Sequence, residues 1–297
     1  MTLSKATRIG FVGAGMMGHG ICANLIKAGY PLTVIAHRNR EPIESLKLIG
    51  AHEAATLATL AEQSDVVMVC VNSADVVERL VEQLHQVLPS GSVIIDVTTS
   101  KPEVSKRLAE ALARNGIAFA DAPVVGGPAQ AAEGKLGAFV GADQQTFARI
   151  EPILAAYCAE IVHFGPTGAG NTAKLLNNFL TVGLRQLIVQ AFRAARREDI
   201  DPEKLYKLAS QGAAGSRTLD QLASGIARGD YKQNKFSIAN CQKDMTYAAP
   251  LLAGDPDGKS IQASLQAAYD RLVNKGLGDR LASEMLDPEV ERRARDN

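Results

Sequence analysis

The chain has 297 residues, 46% of them hydrophobic and 22% charged, enough for two ordinary domains with a sizeable buried core. Lys plus Arg (32) balance Asp plus Glu (32), which argues against nucleic acid or an anionic membrane surface and for a small-molecule partner. The absence of an uncharged apolar run of about 18 residues, and of an apolar leader core before Arg8, gives the expectation of a cytoplasmic protein that neither enters nor binds a membrane.

Taken in order, Arg8 to Val12 reads as a short buried strand that runs into Gly13-Ala14-Gly15-Met16-Met17-Gly18 and then a helix through about Ala28, ended by Gly29. A Gly-x-Gly-x-x-Gly turn between strand and helix permits a tight bend and close backbone approach, while the helix's unpaired N–H groups and dipole receive a pyrophosphate. The second strand, Leu32 to Ala36, should end in an acidic residue if it is to hold the free ribose hydroxyl of NAD. It exits instead into His37-Arg38-Asn39-Arg40. Guanidinium suits bidentate phosphate contact, so NADP(H) is the expected cofactor ahead of NAD, with His37, Arg38 and Asn39 at its adenosine end and Arg38 the arginine nearer the strand.

Helices are expected from Pro42 to about Leu48 and from Thr56 to Gln63, before a buried strand from Val66 to Val71. Asn72 and Ser73 either cap the helix Asp75 to Leu84 or, with Val71, face the cofactor, because loops after strand C-termini form the crevice of open α/β sheets. After the strand Ser92 to Val97, the hydroxyls of Thr98, Thr99 and Ser100 stand before a helix opened by Pro102 and reaching about Arg114. They either cap that helix or bind a nicotinamide or an acid group. Ile117 to Ala120 leads into Asp121-Ala122-Pro123-Val124-Val125-Gly126-Gly127-Pro128, where the two glycines form either a tight turn or a backbone anion site. A strand from Leu136 to Gly141, a helix from Gln144 to Ala155 and a last strand from Glu160 to Phe164 complete a Rossmann-type α/β domain over residues 1–165.

Residues 166–297 read as an all-α domain built on a long helix from Thr172 to Arg197, apolar in nearly every direction and therefore largely enclosed. Lys174 is a charge inside that helix, and Asn178, four residues on, shares its face. Further helices are expected from Asp201 to about Gly212, from Phe236 to Ala248 and from Ser260 to Lys275, with a mobile turn over Ser210 to Leu219. Cys22, Cys70, Cys158 and Cys241 lack Cys-x-x-Cys spacing and read as buried free thiols. The five histidines form no metal-spaced or triad constellation, so no metal is expected and hydrolase chemistry is disfavoured.

Four motifs in this order resemble those of the β-hydroxyacid dehydrogenase family, which includes 3-hydroxyisobutyrate dehydrogenases and tartronate semialdehyde reductases. They are Gly13-x-Gly15-x-Met17-Gly18, Asp121-Ala122-Pro123-Val124-x-Gly126-Gly127, Gly168-x-Gly170-x-x-x-Lys174-x-x-x-Asn178 and Lys243-Asp244. The resemblance implies a Rossmann-type domain with extra strands and a helical second domain through which dimers or tetramers form. It assigns Lys174 as general acid and base, Asn178 as its substrate-positioning partner, and Lys243 to the nicotinamide and substrate. A lysine desolvated beside a cationic nicotinamide has its charged form disfavoured, which suits proton transfer near neutrality.

Val125 departs from the family's usual Ser or Thr and removes a hydroxyl that resembles a substrate-carboxylate contact. The acid group is then left to the backbone of Gly126 and Gly127, to Thr99, or to Ser216 and Arg217 of the helical domain. The expected reaction interconverts a short-chain 3-hydroxy acid, or a related alcohol, with its semialdehyde or keto form, a sulfonate remaining open as the acid. An imine reductase shares this two-domain plan but usually lacks the lysine, as do non-catalytic NADP(H)-binding scaffolds.

Overall fold

The structure, a computed structural model, describes residues 5–233 and 235–295; the remaining positions, which include the start of the first expected domain and the end of the second, lie outside the described residues. The chain divides into two compact units, one ending at Lys174 and one beginning at Leu175. Among the described residues, no helix is long and apolar enough to cross a membrane.

The first unit opens with β1 (Ile9–Val12), α1 (Gly18–Lys27), β2 (Leu32–Ile35), α2 (Glu41–Leu48), β3 (His52–Ala54), α3 (Leu57–Glu62) and β4 (Val66–Val69). It continues through α4 (Ala74–His85), β5 (Val93–Asp96), α5 (Pro102–Ala113), β6 (Ala118–Asp121), β7 (Val124–Val125), α6 (Pro128–Ala132), β8 (Leu136–Gly141), α7 (Gln144–Leu154) and β9 (Cys158–Gly165). The strands form one sheet in the order β3-β2-β1-β4-β5-β6-β8-β7, with β9 beside β8. From β3 to β6 neighbouring strands are parallel; β8 turns the sheet by pairing antiparallel with β6 and β7. Strands β1, β4 and β5 are buried along their whole length, as parallel strands covered by crossover helices must be. Strand order reverses between β1 and β4, and in such sheets ligands bind beyond the strand C-termini at that reversal. The Gly13 turn and the Val71 loop both leave from there.

The helix α8 (Ala169–Arg197) carries the chain from the first unit into the second, which holds α9 (Pro202–Ala209), α10 (Arg217–Ala223), α11 (Ile238–Leu252), α12 (Pro256–Asn274) and α13 (Pro288–Arg295). Three differences from the sequence expectation have local causes. Helix α8 starts ahead of Thr172 because a buried carboxylate binds its first N–H groups. Part of the stretch expected to be a mobile turn is α10, whose N-cap Ser216 accepts from the Leu219 N–H. Helix α12 starts at Pro256, ahead of Ser260, where the Asp255 side chain accepts from the Gly258 N–H and Pro occupies the first turn.

Candidate active site

The first glycine turn is shaped for close backbone approach. Gly13 has φ +101°, and a Cβ there would meet the Cys70 carbonyl oxygen at 2.0 Å; at Gly18 it would meet the Gly13 carbonyl oxygen at 2.2 Å. These two glycines therefore serve the protein's own packing. A Cβ on Gly15 would meet nothing within 4 Å, so that position faces open space. Helix α1 begins with no side chain capping it, leaving its N-terminal dipole to an incoming anion. Gly13, Ala14, Gly15, Met16, Met17 and Gly18 thus fit a dinucleotide pyrophosphate, with Met16 65% exposed over the turn.

At the end of β2 the two arginines differ. Arg40 is held by Glu44 at 2.8 Å and Glu53 at 3.0 Å. Arg38 is exposed and makes no ion pair among the described residues, as does its neighbour His37. Asn39 Oδ1 accepts from the Glu41 N–H at 3.0 Å, which starts α2 and leaves the amide nitrogen to other partners. Beyond β4, the Val71 N–H donates to Thr98 Oγ1 at 3.0 Å, tying the β4 and β5 ends together. Ser73 caps α4 through the Val76 N–H, and Asn72 stands exposed between them.

The start of α8 is fixed by Asp121, the last residue of β6 and fully buried. Its Oδ1 accepts from the Gly168 N–H and its Oδ2 from the Asn171 N–H, both at 2.6 Å. Burial pushes its pKa up to about 6 against the opposing pull of these two N–H groups. The glycines of the α8 motif have a packing cause: a Cβ on Gly170 would meet the Phe139 carbonyl oxygen at 2.4 Å. Asn171 Oδ1 accepts from the Ser100 N–H at 2.8 Å, and Asn171 Nδ2 donates to Ser105 Oγ at 3.1 Å. These bonds tie the first turn of α8 to the end of β6, to the loop after Thr99 and to α5, and Lys174 projects from the second turn of α8. Lys174 is only 8% exposed, with Nζ 5.9 Å from the centroid of the Phe139 ring.

In the second unit, Asn178 Nδ2 donates to Asp244 Oδ2 at 2.6 Å, and Asn178 Oδ1 accepts from Asn177 Nδ2 at 3.1 Å. Asp244 is 1% exposed and also lies 3.0 Å from Lys243 Nζ, close enough to pair in charge but not aligned as a hydrogen bond. Lys243 in turn lies over the Tyr247 ring at 5.0 Å. Asp244 Oδ2 accepts from the Asn178 amide nitrogen, which fixes the end of the amide that faces it and leaves the other amide hydrogen to a ligand. The Lys243-Asp244 dipeptide was legible as a motif, but its bond to Asn178 was not.

Around Val125 the acid contacts are sparse. Val125 is 41% exposed on β7, opposite Gly137 of β8. Gly126 takes the turn at φ +124°. The Gly127 N–H donates to Gln130 Oε1 at 2.9 Å, so a side-chain amide occupies the donor expected to hold an anion there. Ser216 is likewise engaged as the α10 cap, and Arg217 is exposed. Among the described residues no cluster of His, Cys, Asp or Glu is set to hold a metal ion.

A Rossmann unit with an open glycine turn, followed by a helical unit reached through a lysine-bearing helix, defines a nicotinamide-dependent oxidoreductase. Residues 8–165 match the family described as the NAD binding domain of 6-phosphogluconate dehydrogenase, and residues 168–288 the one described as the NAD-binding of NADP-dependent 3-hydroxyisobutyrate dehydrogenase. An uncharacterized oxidoreductase of Bacillus subtilis is 31% identical over 90% of this chain and 93% of its own length. The 2-(hydroxymethyl)glutarate dehydrogenase of Eubacterium barkeri is 30% identical over 83% and 82% respectively. The crystal structure of 3-hydroxyisobutyrate dehydrogenase from Salmonella typhimurium has the same fold, with a TM-score of 0.84 at 23% identity over 94% of this chain and 99% of that one. The chain belongs to the β-hydroxyacid dehydrogenase family, of the 3-hydroxyisobutyrate dehydrogenase type.

Proposed function

We propose that this chain is an NADP(H)-preferring enzyme that interconverts a hydroxy acid with its semialdehyde or keto form, with Lys174 as general acid and base. The observation that carries the reading is the burial of Lys174 on a helix whose start is clamped by Asp121. When bound, the nicotinamide supplies or accepts a hydride. In reduction Lys174 Nζ gives its proton to the carbonyl oxygen as negative charge gathers there; in oxidation it takes the hydroxyl proton. Asn178, one helical turn away and oriented by Asp244, holds the same oxygen or the acid group in line with its remaining amide hydrogen. Arg38, uncommitted among the described residues, supports a 2′-phosphate on the adenosine ribose.

Leu176, Leu180 and Leu187 lie exposed along one face of α8 and support self-association through the helical unit. The direct test of the reaction is NADPH consumption over a panel of carboxylate and sulfonate semialdehydes, with turnover of at least one expected. Tight NADPH binding without turnover of any semialdehyde, keto acid, aldehyde or imine contradicts the reading and favours a binding scaffold.

A further inference from the structure

Helix α8 carries a second charge in its enclosed region. Arg185 is seven residues beyond Asn178, which at about 100° per residue returns it to nearly the same face. It is only 8% exposed. Its Nε has no hydrogen-bond partner, its Nη1 reaches Cys241 Sγ at 3.9 Å, and its guanidinium carbon lies 5.1 Å from the centroid of the Phe236 ring. No carboxylate lies within ion-pair distance of it among the described residues.

The groups that touch the guanidinium carry no negative charge. Burial pushes the Cys241 thiol up to about 12 and the Tyr269 phenol well above its ordinary value, so both neighbours are neutral at physiological pH. Asp244, one turn along α11 from Cys241, is committed to Asn178 and Lys243. The guanidinium also sits against the first turn of α11, which contains no acidic residue. That is the positive end of the helix dipole, where a cation is disfavoured and an anion favoured. The N–H groups of Ile238, Ala239 and Asn240 are already taken by Arg280 O, Gly278 O and Ser237 Oγ. The helix therefore adds field and Arg185 the donors. A buried charge without a partner is costly, and the contact with an aromatic ring offsets only part of that cost.

We infer that Arg185 is the docking point for an acid group of the substrate, held at the end remote from the reacting carbon. This rests on the hydroxy-acid reading and narrows it. Seven residues of helix separate Asn178 from Arg185 by about 10 Å at the backbone, and the arginine side chain leans back toward the helix N-terminus. The chain between reacting carbon and acid group is accordingly longer than that of a three-carbon semialdehyde, and a carboxylate or sulfonate suits the guanidinium equally. It also accounts for Val125, because an acid held by Arg185 does not need a hydroxyl on β7.

The test compares wild type with Arg185→Met and Arg185→Lys, using 5-oxopentanoate and the neutral pentanal as substrates and glutarate as a non-reacting probe in the presence of NADPH. Arg185→Met is expected to raise KM for 5-oxopentanoate about ten- to a hundredfold, the scale of a lost charged hydrogen bond, and to leave pentanal within about twofold. Arg185→Lys should recover part of the loss. Glutarate should raise the melting temperature of wild type and not of Arg185→Met, while ligand-free Arg185→Met melts no lower than wild type, since no ion pair is broken. Equal effects on acid and aldehyde, equal protection by glutarate, or a clear drop in melting temperature on substitution overturns the inference. Arg185-dependent protection by glutarate without turnover of any substrate keeps the anion site and removes the hydroxy-acid reading; turnover of semialdehydes with no Arg185 dependence does the reverse.

Discussion

Asn178 donates its side-chain amide to the buried carboxylate of Asp244 at 2.6 Å, so the residue expected to position substrate is itself positioned from α11. Asp244→Ala frees that amide and removes the carboxylate beside Lys243. It should lower kcat about ten- to a hundredfold, with NADPH affinity kept within about threefold, because a misplaced contact costs rate before it costs binding. Asp244→Asn retains an accepting oxygen and should recover part of the rate. In the double variant with Asn178→Ala the losses should not add; additive losses, measured by steady-state kinetics, separate the two residues.

Asp121 anchors α8 through two N–H groups. Asp121→Asn keeps one acceptor and sets an amide NH2 against the other N–H, at a cost of about 2–3 kcal/mol. Its pH dependence has a defined sign. The native carboxyl, pushed up to about 6, holds a proton that the unfolded chain has released. Its contribution is thus fully present below about pH 4 and is lost as pH rises through about 6. The stability gap between wild type and Asp121→Asn, from urea unfolding across that window, should narrow as pH rises; a widening gap contradicts the assignment.

Arg38 and Arg40 predict opposite outcomes for cofactor choice. Arg38→Ala should weaken NADPH at least about tenfold and NADH less than about twofold, in keeping with a lost charge-assisted phosphate contact. Arg40→Ala should change neither by more than about twofold, because Glu44 and Glu53 already engage that guanidinium. Fluorescence titration with both nucleotides checks this. Equal weakening by Arg38→Ala removes the phosphate contact.

What was legible in the sequence was what is local. The first glycine turn sits between its strand and helix, and a strand ending in arginines is readable without knowing any partner. Strand β3 leaves no such signal, because its three residues begin with an exposed His52 and give no apolar run. In the sequence Asp121 stands only as part of a substrate motif, because its bonds span 47 and 50 residues to Gly168 and Asn171. Asp244 pairs with Asn178 across 66 residues, again beyond any spacing rule. Arg185 did have a signal, the same one that marked Lys174: a lone cation in an apolar helix. Nothing in the sequence separated it from an arginine extending to solvent; its burial and its unpaired Nε do.

The central claim, that Lys174 moves the proton, is tested most directly by Lys174→Met in single-turnover reduction, with NADPH binding measured alongside. The account predicts at least about a hundredfold slower reduction of a semialdehyde that wild type accepts, with NADPH affinity within about threefold of wild type. Reduction at the wild-type rate by the variant contradicts it.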